Sequence, residues 1–107
     1  MKSFAVVSLL ASLSTAIQVN YYTDGGCSDY ATSINNVPSD GSCYNYEWNG
    51  SNSANIANCD WPNCECIFFT DGNCQNPKYS AVWGSDNCAS NWGGGFQSFT
   101  CVGFEAN

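Results

Sequence analysis

The chain has 107 residues, with nine Asp or Glu, two Lys, eight Cys and no His, and a formal net charge of −7 at pH 7. Because nucleic acids and anionic membrane surfaces attract clustered Lys and Arg, neither is expected to be a partner. Aromatic residues make up 15% of the sequence, which is far more than a disordered chain contains.

Residues 1–16 have the features of a secretory signal peptide. A single cation precedes an apolar run at residues 4–13, and small residues lead to the expected cleavage after Ala16. The run is shorter than the roughly 20 residues that span a bilayer, so no stable membrane insertion is expected. An uncleaved N-terminal anchor is the alternative. We therefore predict a secreted domain of residues 17–107, in which Lys78 opposes nine carboxylates for a charge of 1 − 9 = −8.

The first part of this domain is predicted to be β-structure. Residues 19–22 alternate, with Val19 and Tyr21 on the inward face. Asp24-Gly25 then predicts a type I′ hairpin turn, because Gly accepts the positive φ that this turn demands. At most one helical turn is expected, over residues 53–58. Further turns are marked by Gly, Pro and Asn at residues 38–41, 49–52, 76–77 and 93–95.

The second part repeats the pattern. Cys66 and Phe68 are predicted to face inward, and Ile67 and Phe69 to face the other way. Asp71-Gly72 is again expected to form a hairpin turn. Two later strands are predicted at residues 79–83 and 96–102, and the tryptophan that ends the first of them, Trp83, is expected to pack as core.

A shift of 47 positions places Tyr21–Cys27 on Phe68–Cys74, with aromatic, aromatic, Thr, Asp, Gly, a small residue and Cys in the same order. The following cysteines continue the match at similar spacing. We interpret this as a pseudo-repeat of one supersecondary unit, covering residues 19–59 and 66–102 of a single domain.

All eight cysteines lie after the predicted cleavage site. An even number in a short exported chain predicts a disulfide framework of up to four bridges. Zinc is not predicted, because paired C-x-x-C motifs and histidines are absent from the sequence. Eight cysteines allow 105 connectivities, and only a Cys64–Cys66 bridge is disfavoured, by strain. The predicted disulfide residues are Cys27, Cys43, Cys59, Cys64, Cys66, Cys74, Cys88 and Cys101.

The second copy resembles the βγ-crystallin Greek-key unit. Phe69 matches the aromatic residue that closes its first strand, Cys74 takes its apolar position, and Ser98 matches the Ser before its last strand. The first copy matches through Tyr22 and Cys27. The resemblance implies an all-β fold, namely a small disulfide-bonded β-sandwich of two Greek-key units.

Two departures from that family matter. Asp29 and Asn76 stand where Gly is expected, and both are residue types that tolerate left-handed backbone. The paired Asn or Asp that binds calcium in family members is missing from residues 93–98, so no metal and no other cofactor is predicted.

The chain is also similar in its cysteine style to small proteins that filamentous fungi secrete, which include killer-toxin-like antimicrobials and candidate host-directed effectors. This similarity implies an effector or toxin-like role outside the cell. Enzymatic activity is not expected, because the secreted part lacks the His and Arg of common catalytic sites. A two-carboxylate glycosidase stays open as an alternative, and no catalytic residue is predicted.

A binding role is the stronger prediction. Trp48, Trp92 and Tyr46 are candidate binding-surface residues, since aromatic rings beside amides suit a polysaccharide or an extracellular protein. Asn49 begins the sequon Asn-Gly-Ser and is a candidate glycosylation site. A cell-wall carbohydrate-binding, lectin-like module is the alternative function, and a structural secreted protein without a specific ligand is a further one. A monomer is expected.

Overall fold

The computed structural model describes residues 17–48, 52–91 and 95–105, so the predicted signal peptide lies outside the described residues. The described chain forms two antiparallel four-stranded sheets, which confirms the all-β prediction. No helix in these three ranges is long and apolar enough to span a membrane. The strands are β1 (Ile17–Tyr22), β2 (Tyr30–Val37), β3 (Asp40–Trp48), β4 (Ser53–Cys59), β5 (Asn63–Phe69), β6 (Pro77–Val82), β7 (Ala89–Ser90) and β8 (Phe96–Phe104), with a short 3-10 turn at Gly72–Cys74.

The two halves of the chain exchange one strand each. Sheet A has the order β2-β1-β4-β7, and sheet B has the order β3-β8-β5-β6. Sheet A therefore takes three strands from the first half and its edge strand β7 from the second. Sheet B takes three strands from the second half and its edge strand β3 from the first. As a result, neither half forms a complete sheet from its own strands.

The strand registers of the two halves correspond around Tyr21 and Phe68. Tyr21 pairs with Ala54 as Phe68 pairs with Phe99, 47 and 45 positions further on. A register shift follows Tyr21 in β1 and, equivalently, follows Phe68 in β5. Phe69 and its counterpart Tyr22, which follow these shifts, are both buried, but neither belongs to the core cluster between the sheets.

The loop at residues 23–29 is not the predicted type I′ turn. The Asp24 carboxylate accepts hydrogen bonds from the backbone N–H groups of Gly26, Ser28 and Asp29, at 2.9 to 3.2 Å. These bonds fold a longer loop back on itself, as Asx turns do. The residue with left-handed backbone is Cys27, at φ 57°. Asp29, where the family pattern has Gly, is not left-handed among the described residues.

The loop at residues 70–76 is built in the same way. The Asp71 carboxylate accepts a hydrogen bond from the Asn76 N–H, at 3.3 Å. Left-handed backbone occurs at Asn73 and Cys74, with φ of 64° and 54°, and not at Asn76. The expected two-residue turn at Asp71-Gly72 is thus wrong, and both cysteines adopt a conformation that normally favours Gly.

A buried serine closes each loop. Ser53 Oγ accepts a hydrogen bond from Cys27 N–H at 3.0 Å and donates one to the Asp24 carbonyl at 2.6 Å. Ser98 Oγ makes the same two bonds, with Cys74 N–H at 2.9 Å and the Asp71 carbonyl at 2.6 Å. Both serines are fully buried.

The core between the sheets is rich in aromatic rings. Tyr21 lies among Phe68, Phe96 and Phe99, with ring centroids 6.2 to 6.4 Å away. Its hydroxyl is buried without a hydrogen-bond partner among the described residues. Burial raises the pKa of Tyr21 well above its ordinary value. The aliphatic part of the core comes mainly from sheet A, through Ile17, Val19, Ile34, Val37 and Ile56.

Four disulfides pair all eight cysteines, which confirms the predicted framework. Two of them are reciprocal. One joins Cys27, in the loop of the first half, to Cys88, the residue before the exchanged strand β7. The other joins Cys74, in the loop of the second half, to Cys43 in the exchanged strand β3. A third links the end of β4 to β5, and the fourth joins the paired core strands β5 and β8. The pairs are Cys27–Cys88, Cys43–Cys74, Cys59–Cys64 and Cys66–Cys101.

Two local predictions are wrong. Residues 53–58 belong to strand β4 and form no helical turn, because pairing with β1 overrides their weak local preference. Trp83 lies in the turn after β6 and is 36% exposed, so it is not core. Trp61 packs against the core instead and covers Gly103, where a Cβ would clash with the Trp61 ring.

Candidate binding surface

Sheet A differs from the rest of this acidic protein in its chemistry. Within its four described strands there is no Asp, Glu, Lys or Arg. Sheet B carries charge at Asp40 and Glu65. The strands of sheet A instead contain six amide residues, namely Gln18, Asn20, Asn35, Asn36, Asn55 and Asn58.

Alternation along β1 decides which of these amides face solvent. Ile17, Val19 and Tyr21 are fully buried against the core. Gln18 and Asn20 therefore project from the opposite, outer face. Asn20 lies in the central position of a row across three strands, because it is paired with Ser33 of β2 on one side and with Asn55 of β4 on the other.

A continuous hydrogen-bond network covers this outer face. Asn20 Oδ1 accepts from Ser33 Oγ at 2.7 Å and from Gln18 Nε2 at 3.2 Å. Tyr30 and Ser33 are joined through their hydroxyls at 2.6 Å. Since the Ser33 proton is given to Asn20, the Tyr30 hydroxyl is the donor in that bond.

Tyr22 extends the network to β4. Its hydroxyl accepts from Asn20 Nδ2 at 3.4 Å and donates to Asn55 Oδ1 at 3.1 Å. The Tyr22 ring is buried and contacts the Tyr30 ring edge-on, at 6.4 Å between centroids. We call this set of side chains the amide surface; it comprises Gln18, Asn20, Tyr22, Tyr30, Ser33 and Asn55.

The amide surface keeps hydrogen-bonding capacity toward solvent. An amide offers two donors and a two-fold acceptor. The Asn55 Nδ2 group has no partner among the described residues, while its Oδ1 is held by Tyr22. Tyr30 is the exposed aromatic residue of the set, at 60%. The surface thus presents donors, acceptors and one aromatic ring without any formal charge.

The equivalent face of sheet B is different. Ile67 occupies the central position that Asn20 has in sheet A, and its neighbours across the strands are Thr100 and Ser80. Val102 and Phe104 nearby are 37% and 44% exposed. Because these side chains offer far fewer hydrogen-bonding groups, sheet B is a natural internal comparison for the amide surface.

Of the three sequence-predicted binding residues, Tyr46 is the one whose side chain the structure describes. Tyr46 of β3 is half-buried and packs against the core, with its ring 5.7 Å from that of Tyr21. Trp48 ends β3, where its backbone pairs with Phe96, and its side chain lies outside the described part. Trp92 and the candidate glycosylation residue Asn49 lie outside the described residues. The predicted binding role of these three aromatic residues therefore stays a prediction.

Carboxylates are perturbed in the loop at residues 23–29 and at the start of β3 rather than on sheet A. Hydrogen bonds from the backbone N–H groups of Asp29, Ser28 and Gly26 lower the pKa of Asp24. The Ser42 hydroxyl and N–H similarly lower the pKa of Asp40. Both carboxylates are therefore held ionised by loop geometry. Across residues 17–48, 52–91 and 95–105, no three His, Cys, Asp or Glu residues are grouped as metal ligands would be.

The amide surface was missed by sequence reasoning. Its signal was the alternation of Gln18 and Asn20 with buried apolar residues in β1. That alternation identifies an outer face, but nothing local brings Ser33 and Asn55 beside it. Comparison of the chain with protein-family models, with curated proteins and with solved structures finds no match.

Proposed function

We propose that this chain is an exported, non-enzymatic protein that acts outside the cell, as a host-directed effector or a toxin-like antimicrobial. The observation that carries the proposal is the complete pairing of eight cysteines in a domain of this size. Disulfides form and persist in oxidising, extracellular environments. Small secreted domains use them to supply stability that a small core lacks, at about 2–4 kcal/mol each.

The proposed architecture is a pair of Greek-key units arranged as in the βγ-crystallins. Two features support it: the exchange of β3 and β7 between the sheets, and the matching serine bonds of Ser53 and Ser98. A fold of this kind displays loops and sheet faces on a rigid frame, which suits recognition of a target. It does not by itself assign a function.

The test of the proposed role is a comparison of two forms of one preparation. The exported, oxidised protein is applied to microbial cultures and infiltrated into host tissue, beside protein that has been reduced and alkylated. We expect growth inhibition or a host response from the oxidised form alone. No effect of the oxidised form in either assay would reject both the effector and the antimicrobial role, and would favour a structural secreted protein.

A second candidate function is a cell-wall carbohydrate-binding module. It is favoured by a specific observation, the uncharged strands of sheet A in a protein whose remaining surface is acidic. Neutral polysaccharides are recognised through hydroxyl groups, for which side-chain amides and hydroxyls are suitable partners. Wall binding is compatible with either extracellular role, because a wall is the first structure that an exported protein meets on another cell.

A further inference from the structure

We propose that the amide surface of sheet A binds a neutral polysaccharide, of the kind that forms cell walls. This inference rests on the part of the proposed function that places the protein outside the cell. It names a site on Asn20, Asn55 and Tyr30 that differs from the aromatic residues indicated by the sequence.

Charge selects the class of ligand. A nucleic acid or an acidic polysaccharide requires cations, and the described strands of sheet A contain none. A cationic partner is better served by the carboxylates elsewhere in the chain. A polymer whose polar groups are uncharged hydroxyls and amides needs donors and acceptors without formal charge. Asn20, Asn55 and Ser33 supply both, in a row across three strands.

The shape of the surface fits an extended ligand. Neighbouring strands lie about 4.8 Å apart, so the row from Asn55 through Asn20 to Ser33 spans about 10 Å on a sheet face. Tyr30 borders this row on β2 and is exposed, so its ring is available to the apolar face of a sugar. A protein interface normally centres on buried aromatic or aliphatic anchors, which this face lacks apart from Tyr30.

Preorganisation makes the site energetically favourable. The network from Tyr30 through Ser33 to Asn20, and on through Tyr22 to Asn55, holds each side chain before a ligand arrives. Ordering a flexible side chain at an interface costs conformational entropy. A surface whose amides are already oriented avoids most of that cost and keeps outward N–H groups for the ligand.

The chain contains its own control. Ser80 and Thr100 of sheet B occupy the register positions that Ser33 and Asn55 occupy in sheet A. Ser33→Ala/Asn55→Ala and Ser80→Ala/Thr100→Ala thus remove similar groups from equivalent places on the two sheets. Tyr30→Ala is a third variant at an exposed position, where folding is least affected.

The experiment measures binding of the exported, oxidised protein to insoluble chitin, β-glucan and cellulose by depletion from solution. We expect saturable binding to at least one polymer. Loss of two hydrogen-bonding groups should weaken the Kd of Ser33→Ala/Asn55→Ala about tenfold. Tyr30→Ala should weaken the affinity for the polymer by a similar factor, and Ser80→Ala/Thr100→Ala should weaken it by less than about twofold. Thermal unfolding of each variant establishes that it is folded.

Three results would overturn the inference. The first is no binding of the folded protein to any of the three polymers. The second is equal loss in the sheet A and sheet B variants. The third is a dimer in sedimentation that dissociates in Ser33→Ala/Asn55→Ala, since a second copy would then occupy the surface. Growth inhibition or a host response without polymer binding would reject the polysaccharide site and leave the effector or antimicrobial role standing. Polymer binding without growth inhibition or a host response would reject that role and leave the polysaccharide site standing.

Discussion

Cys27, in the loop of the first half, forms a disulfide with Cys88, which directly precedes the strand that the second half contributes to sheet A. The reciprocal bridge joins Cys74, in the loop of the second half, to Cys43 in the strand β3 that the first half contributes to sheet B. Each exchanged strand is therefore held covalently to the half whose sheet it completes. Each exchanged strand lies at the edge of its sheet and pairs along one side only, so a covalent link adds an attachment that strand pairing does not provide.

The two reciprocal bridges should contribute equally to stability. They close loops of 61 and 31 residues, for which the chain-entropy relation gives about 4 kcal/mol each. We expect Cys27→Ala/Cys88→Ala and Cys43→Ala/Cys74→Ala each to lower the free energy of unfolding in guanidinium by about that amount. None of these cysteines is in the buried core, so little packing is lost. An effect on one pair with none on the other would contradict the equivalence of the two links.

Removing the Tyr21 hydroxyl should stabilise the protein. This hydroxyl is buried without a partner among the described residues, and an unsatisfied buried polar group costs about 1–3 kcal/mol. Tyr21→Phe should therefore raise the free energy of unfolding by about 1 kcal/mol. Phe68→Tyr, at the equivalent position of the second half, is the matched reverse change and should lower it. Destabilisation by Tyr21→Phe would show that the hydroxyl has a partner.

The difference in the free energy of unfolding between Tyr21→Phe and the unmodified protein should depend on pH, because the pKa of Tyr21 is shifted in the folded state. Burial raises the pKa of Tyr21 in the folded state. Above the pKa of an unfolded-state tyrosine, about 10, the unfolded chain loses this proton more readily than the folded chain does, so the free energy of unfolding of the unmodified protein falls as pH rises. The stability advantage of Tyr21→Phe should accordingly grow above about pH 10. A difference in the free energy of unfolding between Tyr21→Phe and the unmodified protein that stays constant from about pH 7 to about pH 11 would contradict the raised pKa.

Each loop serine should be important for stability. Ser98→Ala leaves the Cys74 N–H and the Asp71 carbonyl without their buried partner, at a cost of about 1–3 kcal/mol. Ser53→Ala should have a comparable effect in the first half. The control is Ser85→Ala in an exposed turn, which should change the free energy of unfolding by less than about 0.5 kcal/mol. Chemical denaturation of the three variants distinguishes these outcomes.

Asp24 should make loop stability depend on pH in the acid range. The pKa of Asp24 is lowered in the folded state. Its contribution to the free energy of unfolding is therefore present above the ordinary pKa of 3.8 and is lost as pH falls through the folded-state pKa. Asp24→Asn should lower the thermal midpoint at pH 7, and the gap to the unmodified protein should narrow below pH 3.8. Asp86→Asn, on an exposed side chain, is the comparison. A gap that widens on acidification would contradict the assignment.

The errors in sequence-based prediction fall at identifiable places. The type I′ turn at Asp24-Gly25 was expected because Gly favours positive φ, yet a carboxylate that collects three backbone N–H groups stabilised a longer loop with Cys27 left-handed. Strand pairing likewise decided residues 53–58, whose local preference was weak. The prediction that Trp83 packs as core depends on a strand that includes this residue, but strand β6 ends one residue earlier, at Val82.

The sequence by itself determined the class of structure, because period-two alternation, turn residues and an even number of cysteines are local or compositional properties. It therefore specified strands, a buried face on each, and a disulfide framework. The tertiary structure alone decided the four cysteine pairs, the exchange of β3 and β7, and the meeting of Asn20, Ser33 and Asn55 on one face. Those outcomes depend on closing loops between residues far apart in the chain, where packing and register, rather than any neighbouring residue, set which groups come together.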